Sequence, residues 1–111
     1  MAHTIKQLGQ AAPANTSIVS IYSPGASTET VIHNVIVCNT TTSAATFQLC
    51  VDDNGTTYTA ATALHWNQSI PAQTTVTLEK KICMNDSTGN LAVQTGTANA
   101  LTFTVNGEEF A

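Results

Sequence analysis

Basic charge is what this sequence has least of: arginine is absent, and the lysines are Lys6, Lys80 and Lys81. A protein that grips phosphates needs a basic stripe, so a net charge of −4 argues against nucleic acid as a partner. Charge of either sign is scarce, at 9% of the chain against about 25% in ordinary domains. Threonine is the commonest residue, and Thr, Ser, Asn and Gln must supply most of the polar surface. Such a surface suits a chain packed against copies of itself or another partner better than a free monomer. The cysteines, Cys38, Cys50 and Cys83, are odd in number and form no CxxC pair or Cys/His cluster. No zinc or other cofactor is expected, and the thiols read as free, small hydrophobes made in a reducing cytoplasm. No apolar run approaches the length of a membrane span. The opening His3-Thr4-Ile5-Lys6 leads into no apolar signal segment, so no membrane partner is expected. Amphipathic helical periodicity is absent throughout.

What is present is β-pattern. The 111 residues make one domain. Thr30–Asn39, Thr-Val-Ile-His-Asn-Val-Ile-Val-Cys-Asn, is the longest apolar run and is rich in β-branched residues. On a regular strand, Val31, His33, Val35 and Val37 share one face, and Ile32, Asn34, Ile36 and Cys38 the other. Both faces are largely apolar, which predicts a central strand covered on both sides. Shorter strands follow from alternation over Ser17–Ser23, Ala45–Asp52, Thr74–Leu78, Ile82–Met84, Asn90–Gln94 and Leu101–Val105. Asp53-Asn54-Gly55 is a hairpin signal, and Asn106-Gly107 a second turn signal before a tail. Glu79-Lys80-Lys81 predicts a bend. Residues 1–16 show neither a strand nor a helix period. They read as an N-terminal arm, either frayed or laid on a neighbouring subunit with Ile5 and Leu8 as anchors, ahead of a domain over 17–111. Seven to eight short strands separated by turns predict an all-β antiparallel sandwich, jelly-roll-like.

Candidate sites are few. His33, set among Val and Ile, reads as a hydrogen-bonded core or interface residue rather than a pH switch or metal ligand, because metals need several convergent donors. Asp52-Asp53-Asn54 reads as a turn stabilised by its own side chains; it lacks the alternating oxygens of a calcium loop. No Ser or Cys sits in a Gly-flanked elbow, so no catalytic residue is assigned and an enzyme is not expected. Trp66, with His65 and Tyr58 nearby, reads first as a core residue completing the sandwich. The alternative is a stacking platform for a sugar. Ile5, Leu8, His65 and Trp66 are the candidate partner-binding residues.

Several segments resemble a family of small virion structural proteins of tailed bacteriophages. They are Leu8-Gly9-Gln10-Ala11-Ala12-Pro13-Ala14, Val35-Ile36-Val37-Cys38-Asn39 and Ala45-Thr46-Phe47. Ile70-Pro71-Ala72 leading into Thr75-Val76-Thr77-Leu78 continues the pattern, as does the close from Leu101-Thr102-Phe103 to Gly107-Glu108. The order and spacing run along nearly the whole chain; Glu79-Lys80-Lys81 departs from the family pattern. The resemblance implies a compact β-sandwich without catalytic residues. Its implied place is the phage particle, after synthesis in the host bacterial cytoplasm. The implied role is a capsid decoration, or cement, protein acting as a homotrimer on the major capsid protein. The alternatives are a tail, neck or fibre component, or a glycan-binding module on the virion.

Overall fold

The computed structural model describes residues 3–111. Nine strands make two antiparallel sheets. They are β1 (His3–Ala11), β2 (Val19–Tyr22), β3 (Glu29–Asn39), β4 (Ala45–Asp52), β5 (Ala63–Ile70), β6 (Thr75–Leu78), β7 (Ile82–Met84), β8 (Asn90–Thr95) and β9 (Leu101–Phe110). One sheet has the order β1-β9-β3-β6, with β7 following β6 along the same edge of β3. The other has the order β2-β8-β4-β5. With β7 set aside, the first strand pairs with the last, the second with the next to last, and so inward to β4 and β5. That is a long hairpin rolled up on itself, the jelly-roll form of β-sandwich.

Alternation explains the core. Ile32, Val35 and Val37 of β3 and Phe103 and Val105 of β9 point inward from one sheet. Phe47 and Leu49 of β4 and Leu91 and Val93 of β8 meet them from the other. All are at most 1% exposed. Each fully buried side chain contributes roughly 1.5–3 kcal/mol by removing apolar surface from water. Phe47 and Phe103 meet edge to face across the two sheets, 6.2 Å between ring centres, the arrangement that ring quadrupoles favour.

Four expectations are corrected. First, His3–Ala11 is not an irregular arm but an edge strand paired along β9. Its pattern is hidden because an edge strand over a polar rim needs few apolar residues, and because a bulge at Leu8 breaks its period. Leu8 packs on the chain's own core, while Ile5 is 74% exposed. Second, β3 is central, but within the chain only its inner face is covered. A bulge at His33 shifts its register against β9. Ile32 and Val35 therefore point to the same, inner face, and Val31, His33, Ile36 and Cys38 lie on the outer face. Third, Asp53-Asn54-Gly55 does not close a tight hairpin. The connection from β4 to β5 runs over residues 53–62 and ends in a 3₁₀ turn, Ala60–Thr62, capped by Thr59. This loop brings the Thr59 carbonyl to the Cys50 thiol on the outer face of its sheet. Fourth, Asn106-Gly107 is not a turn but the interior of β9, which runs on to Phe110. Glu79-Lys80-Lys81 does separate β6 from β7, opposite the bulge in β3.

These placements predict stability changes and an order of thiol reactivity. Gly107 lies so close to β3 that an added Cβ would sit 2.3 Å from the Val31 carbonyl oxygen. Gly107→Ala should therefore cost about 1–3 kcal/mol in a denaturant titration. Deleting residues 1–11 should be worse still, exposing β9 and Leu8, whereas Ile5→Ala should stay within about 0.5 kcal/mol. A deletion that melts like the full chain would contradict the pairing. Thiol reactivity should separate three classes. In the native protein exposed Cys83 reacts first, half-buried Cys38 more slowly, and fully buried Cys50 after unfolding. Equal native rates at Cys50 and Cys83 would contradict these burials.

Candidate functional site

The bulge in β3 turns His33 onto the outer face of the five-stranded sheet, where it meets β9. Glu108 of β9 stands in register with Ile5 of β1 and Val31 of β3. Its carboxylate takes His3 Nε2 on one oxygen and His33 Nε2 on the other, both at 2.5 Å. These imidazoles hold the Glu108 carboxyl below the usual range, His33 more than His3. Phe110 stacks on the His3 ring, 4.5 Å between centres. Three strands thus tie together through one carboxylate. Among the described residues no group of three His, Cys, Asp or Glu side chains is arranged to hold a metal. Sequence reading missed this cluster because β9 was expected to end at Val105. No local signal marked it, because Asn106-Gly107 favours a turn when read on its own.

One residue further along, Glu109 points the other way, towards the second sheet. Tyr22 of β2 donates its hydroxyl hydrogen to Glu109 at 2.5 Å and lies 2.6 Å from Thr30 Oγ1. Lys6 completes an ion pair with Glu109 at 2.7 Å. Burial first, and then the bond to Glu109, push the Tyr22 phenol up to about 12. Lys6 and Tyr22 in turn lower the Glu109 carboxyl. Beyond Phe110 a cleft of about 440 Å³ opens, with the Glu29 and Asp53 carboxyls and the Cys83 thiol on its walls.

The four residues read as partner-binding are not brought together. Ile5 and Leu8 are on β1, and His65 and Trp66 on β5. Because β1 packs beside β2, these strands lie at opposite edges of the sandwich. His65 faces inward, tilted against the Phe47 ring and bonded through Nδ1 to the Gln68 side-chain oxygen. Trp66 does not complete the core: it is 47% exposed, with Leu64 beside it at 38%. The cause is an irregular β5. Phe47 pairs with Gln68 and Leu49 with His65, so Trp66 and Asn67 stand together opposite Gln48. Asn67 takes a positive φ of 51°, and Gln48 Nε2 donates to its side-chain oxygen at 2.9 Å.

The fold thus defines a jelly-roll β-sandwich in which two polar clusters, around Glu108 and Glu109, join neighbouring strands. No family model and no curated protein matches the sequence. Among solved structures, the chain is similar to one in the crystal structure of the T13 viral particle of infectious bursal disease virus. The TM-score is 0.56 at 11% identity, over 97% of this chain and 30% of that one. A chain of the Gx strain of that virus gives 0.52 at 13% identity, over 98% of this chain and 32% of that one. T=1 particles derived from the virus give 0.50 at 11% identity, over 96% and 30%. This chain spans about a third of the length of each, and at these identities the likeness is one of fold.

The Tyr22–Glu109 contact gives a pH signature of defined sign. Tyr22 has its folded value raised from 10.0 to about 12, so folding favours the neutral phenol. That contribution, on the order of 2 kcal/mol, is complete below pH 10 and lost as the pH rises towards 12. Glu109 has its folded value lowered, so its contribution is present at neutral pH and lost as acid protonates it. Melting temperature against pH should fall at both ends. Tyr22→Phe should shrink the alkaline fall and Glu109→Gln the acid one. Superimposable profiles for the wild type and Tyr22→Phe would rule the linkage out.

Proposed function

We propose that this protein is a non-enzymatic structural component of a bacteriophage virion, and that it decorates the head as a cement protein. The observation that supports this reading is the jelly roll itself. Its two sheets hold the nine described strands, and chains of virus particles share the fold over 97–98% of this chain. The surface supports it as well. A face made of Thr, Asn and Gln, with charge at 9% of residues, is hydrogen-bond rich and easily desolvated against a lattice. Lys6 and Glu109 bond each other, so this pair adds little to long-range steering.

The mechanism is mass action. A protein that binds the assembled, expanded shell and not its precursor stabilises the shell in proportion to occupancy. Several copies joined as a homotrimer, each touching the major capsid protein, add avidity without any new kind of contact. The protein is made in the host bacterial cytoplasm and works in the virion, with neither nucleic acid nor membrane as a partner. A tail, neck or fibre component is the other structural role for the same fold.

Copy number separates the two. Quantitative mass spectrometry of purified particles should find the protein in proportion to the capsid lattice, and cryo-electron microscopy should place it on the outer shell. A small count fixed by the tail would move the protein off the head. Absence from purified particles would overturn the virion reading altogether.

A further inference from the structure

We propose that the outer face of the four-stranded sheet carries a binding site for a neutral saccharide, built from Trp66, Asn67 and Gln48. This inference is independent of the protein's place on a particle. A regular strand would alternate strictly, with His65 inward, Trp66 outward and Asn67 inward again. The extra residue in β5 breaks that order and returns Gln68 to the face of His65, where the two side chains bond. Asn67 is left beside Trp66 and joins Gln48 on the outer face. Bulges re-aim side chains in this way, and here the effect is to put an aromatic ring and two amides together.

The chemistry of the group points to sugars. Trp66, half exposed at 47%, offers a flat apolar face of the kind that stacks on the C–H face of a pyranose ring. Gln48 and Asn67 hold each other through one hydrogen bond of 2.9 Å. That bond fixes both amides and leaves the Gln48 carbonyl oxygen as an acceptor and the Asn67 NH₂ as a donor. Neighbouring sugar hydroxyls each donate and accept, so a fixed donor–acceptor pair matches them. Gln94 of β8, in register with Gln48, continues the amide row across the sheet.

Other occupants fit less well. The row Gln94, Gln48, Asn67 and Trp66 has no formal charge, which disfavours phosphates, nucleic acid and acidic sugars. Among the described residues, the large exposed apolar side chains of this sheet are Leu64 and Trp66, too small a patch for an apolar protein surface.

Trp66 is the single tryptophan, so its emission reports on this site alone. The full chain should be run on a glycan array. It should then be titrated with malto-, cello-, manno- and N-acetylglucosamine oligosaccharides, with polygalacturonate as the charged control. At least one neutral series should shift the Trp66 emission saturably, and polygalacturonate should not. By calorimetry, Trp66→Ala should weaken that binding about tenfold or more, and Gln48→Ala severalfold, with melting temperatures kept. No saturable shift with any neutral series, an unweakened Trp66→Ala variant, or binding confined to polygalacturonate would each overturn the proposal. Should Trp66→Ala melt early, Gln48→Ala decides: unchanged affinity overturns the site and weakened affinity supports it.

Discussion

The pairing of β3 with β9 is the constraint on which the rest of the molecule depends. It runs from Glu29 opposite Phe110 to Asn39 opposite Leu101, with one break. The two strands are the middle of their sheet, so β1, β6 and β7 find their edges ready-made. Gly107 allows the backbones to close where β3 bulges, because no Cβ stands between it and the Val31 carbonyl. The bulge then decides the faces. Without the extra residue at His33, a strand with Ile32 inward would carry Val35 and Val37 outward, and the core would lose two of its fully buried side chains. The same residue, being extra, is free to reach Glu108 on the far side. One irregularity thus serves both the interior and the polar cluster.

The two sheets are held at their ends by polar groups whose partners are already fixed. At one end Tyr22 crosses from β2 to Glu109 and Thr30. At the other, Asn39 is 1% exposed yet satisfied. Its NH₂ donates to the Ser43 and Ile70 carbonyls, and its oxygen accepts from the Thr41 amide and hydroxyl. A buried amide without those partners would cost about 1–3 kcal/mol. With them it locks the crossing from β3 to β4 to the end of β5. Polar groups thus set the register of the roll, while Phe47, Phe103 and their neighbours supply most of its stability.

Much of this was legible because alternation is a local signal. Phe47 with Leu49, Val76 with Leu78, and Leu101 with Phe103 and Val105 all announced their strands and their inner faces. What stayed hidden were the positions where period two fails. His33, Leu8 and Trp66-Asn67 each sit at a bulge, and a bulge is set by the partner strand's register, which the sequence does not display locally. Asn106-Gly107 was misread for a related reason. The pair favours a turn on its own, but here both flanking strands hold it extended, and tertiary pairing overrides the local preference. The His3–Glu108–His33 cluster joins residues 75 and 105 positions apart, beyond any motif of fixed spacing.

The irregularities also govern which edges can accept another chain. A sheet edge recruits partners when it is long, flat and unpaired. The β6–β7 edge is broken in the middle and carries Lys80 and Lys81 at the break. The β2 edge is four residues long and slips register against β8. The β5 edge changes register twice in eight residues. β1 is the longest of the four, nine residues, with exposed Ile5 on its outer face and a bulge at Leu8. The chain blunts its edges chiefly by bending them, and its three lysines lie on two of them, Lys6 on β1 and Lys80 and Lys81 at the break between β6 and β7. A contact with neighbours that follows this geometry uses the faces of the sheets and their loops, where Thr, Asn and Gln side chains stand in rows. Backbone pairing is left to β1, if any edge supplies it. Removing a bulge would then straighten an edge as well as repack a face, exposing a longer row of unpaired backbone groups. Loss of fold and gain of aggregation would arise from the same substitution.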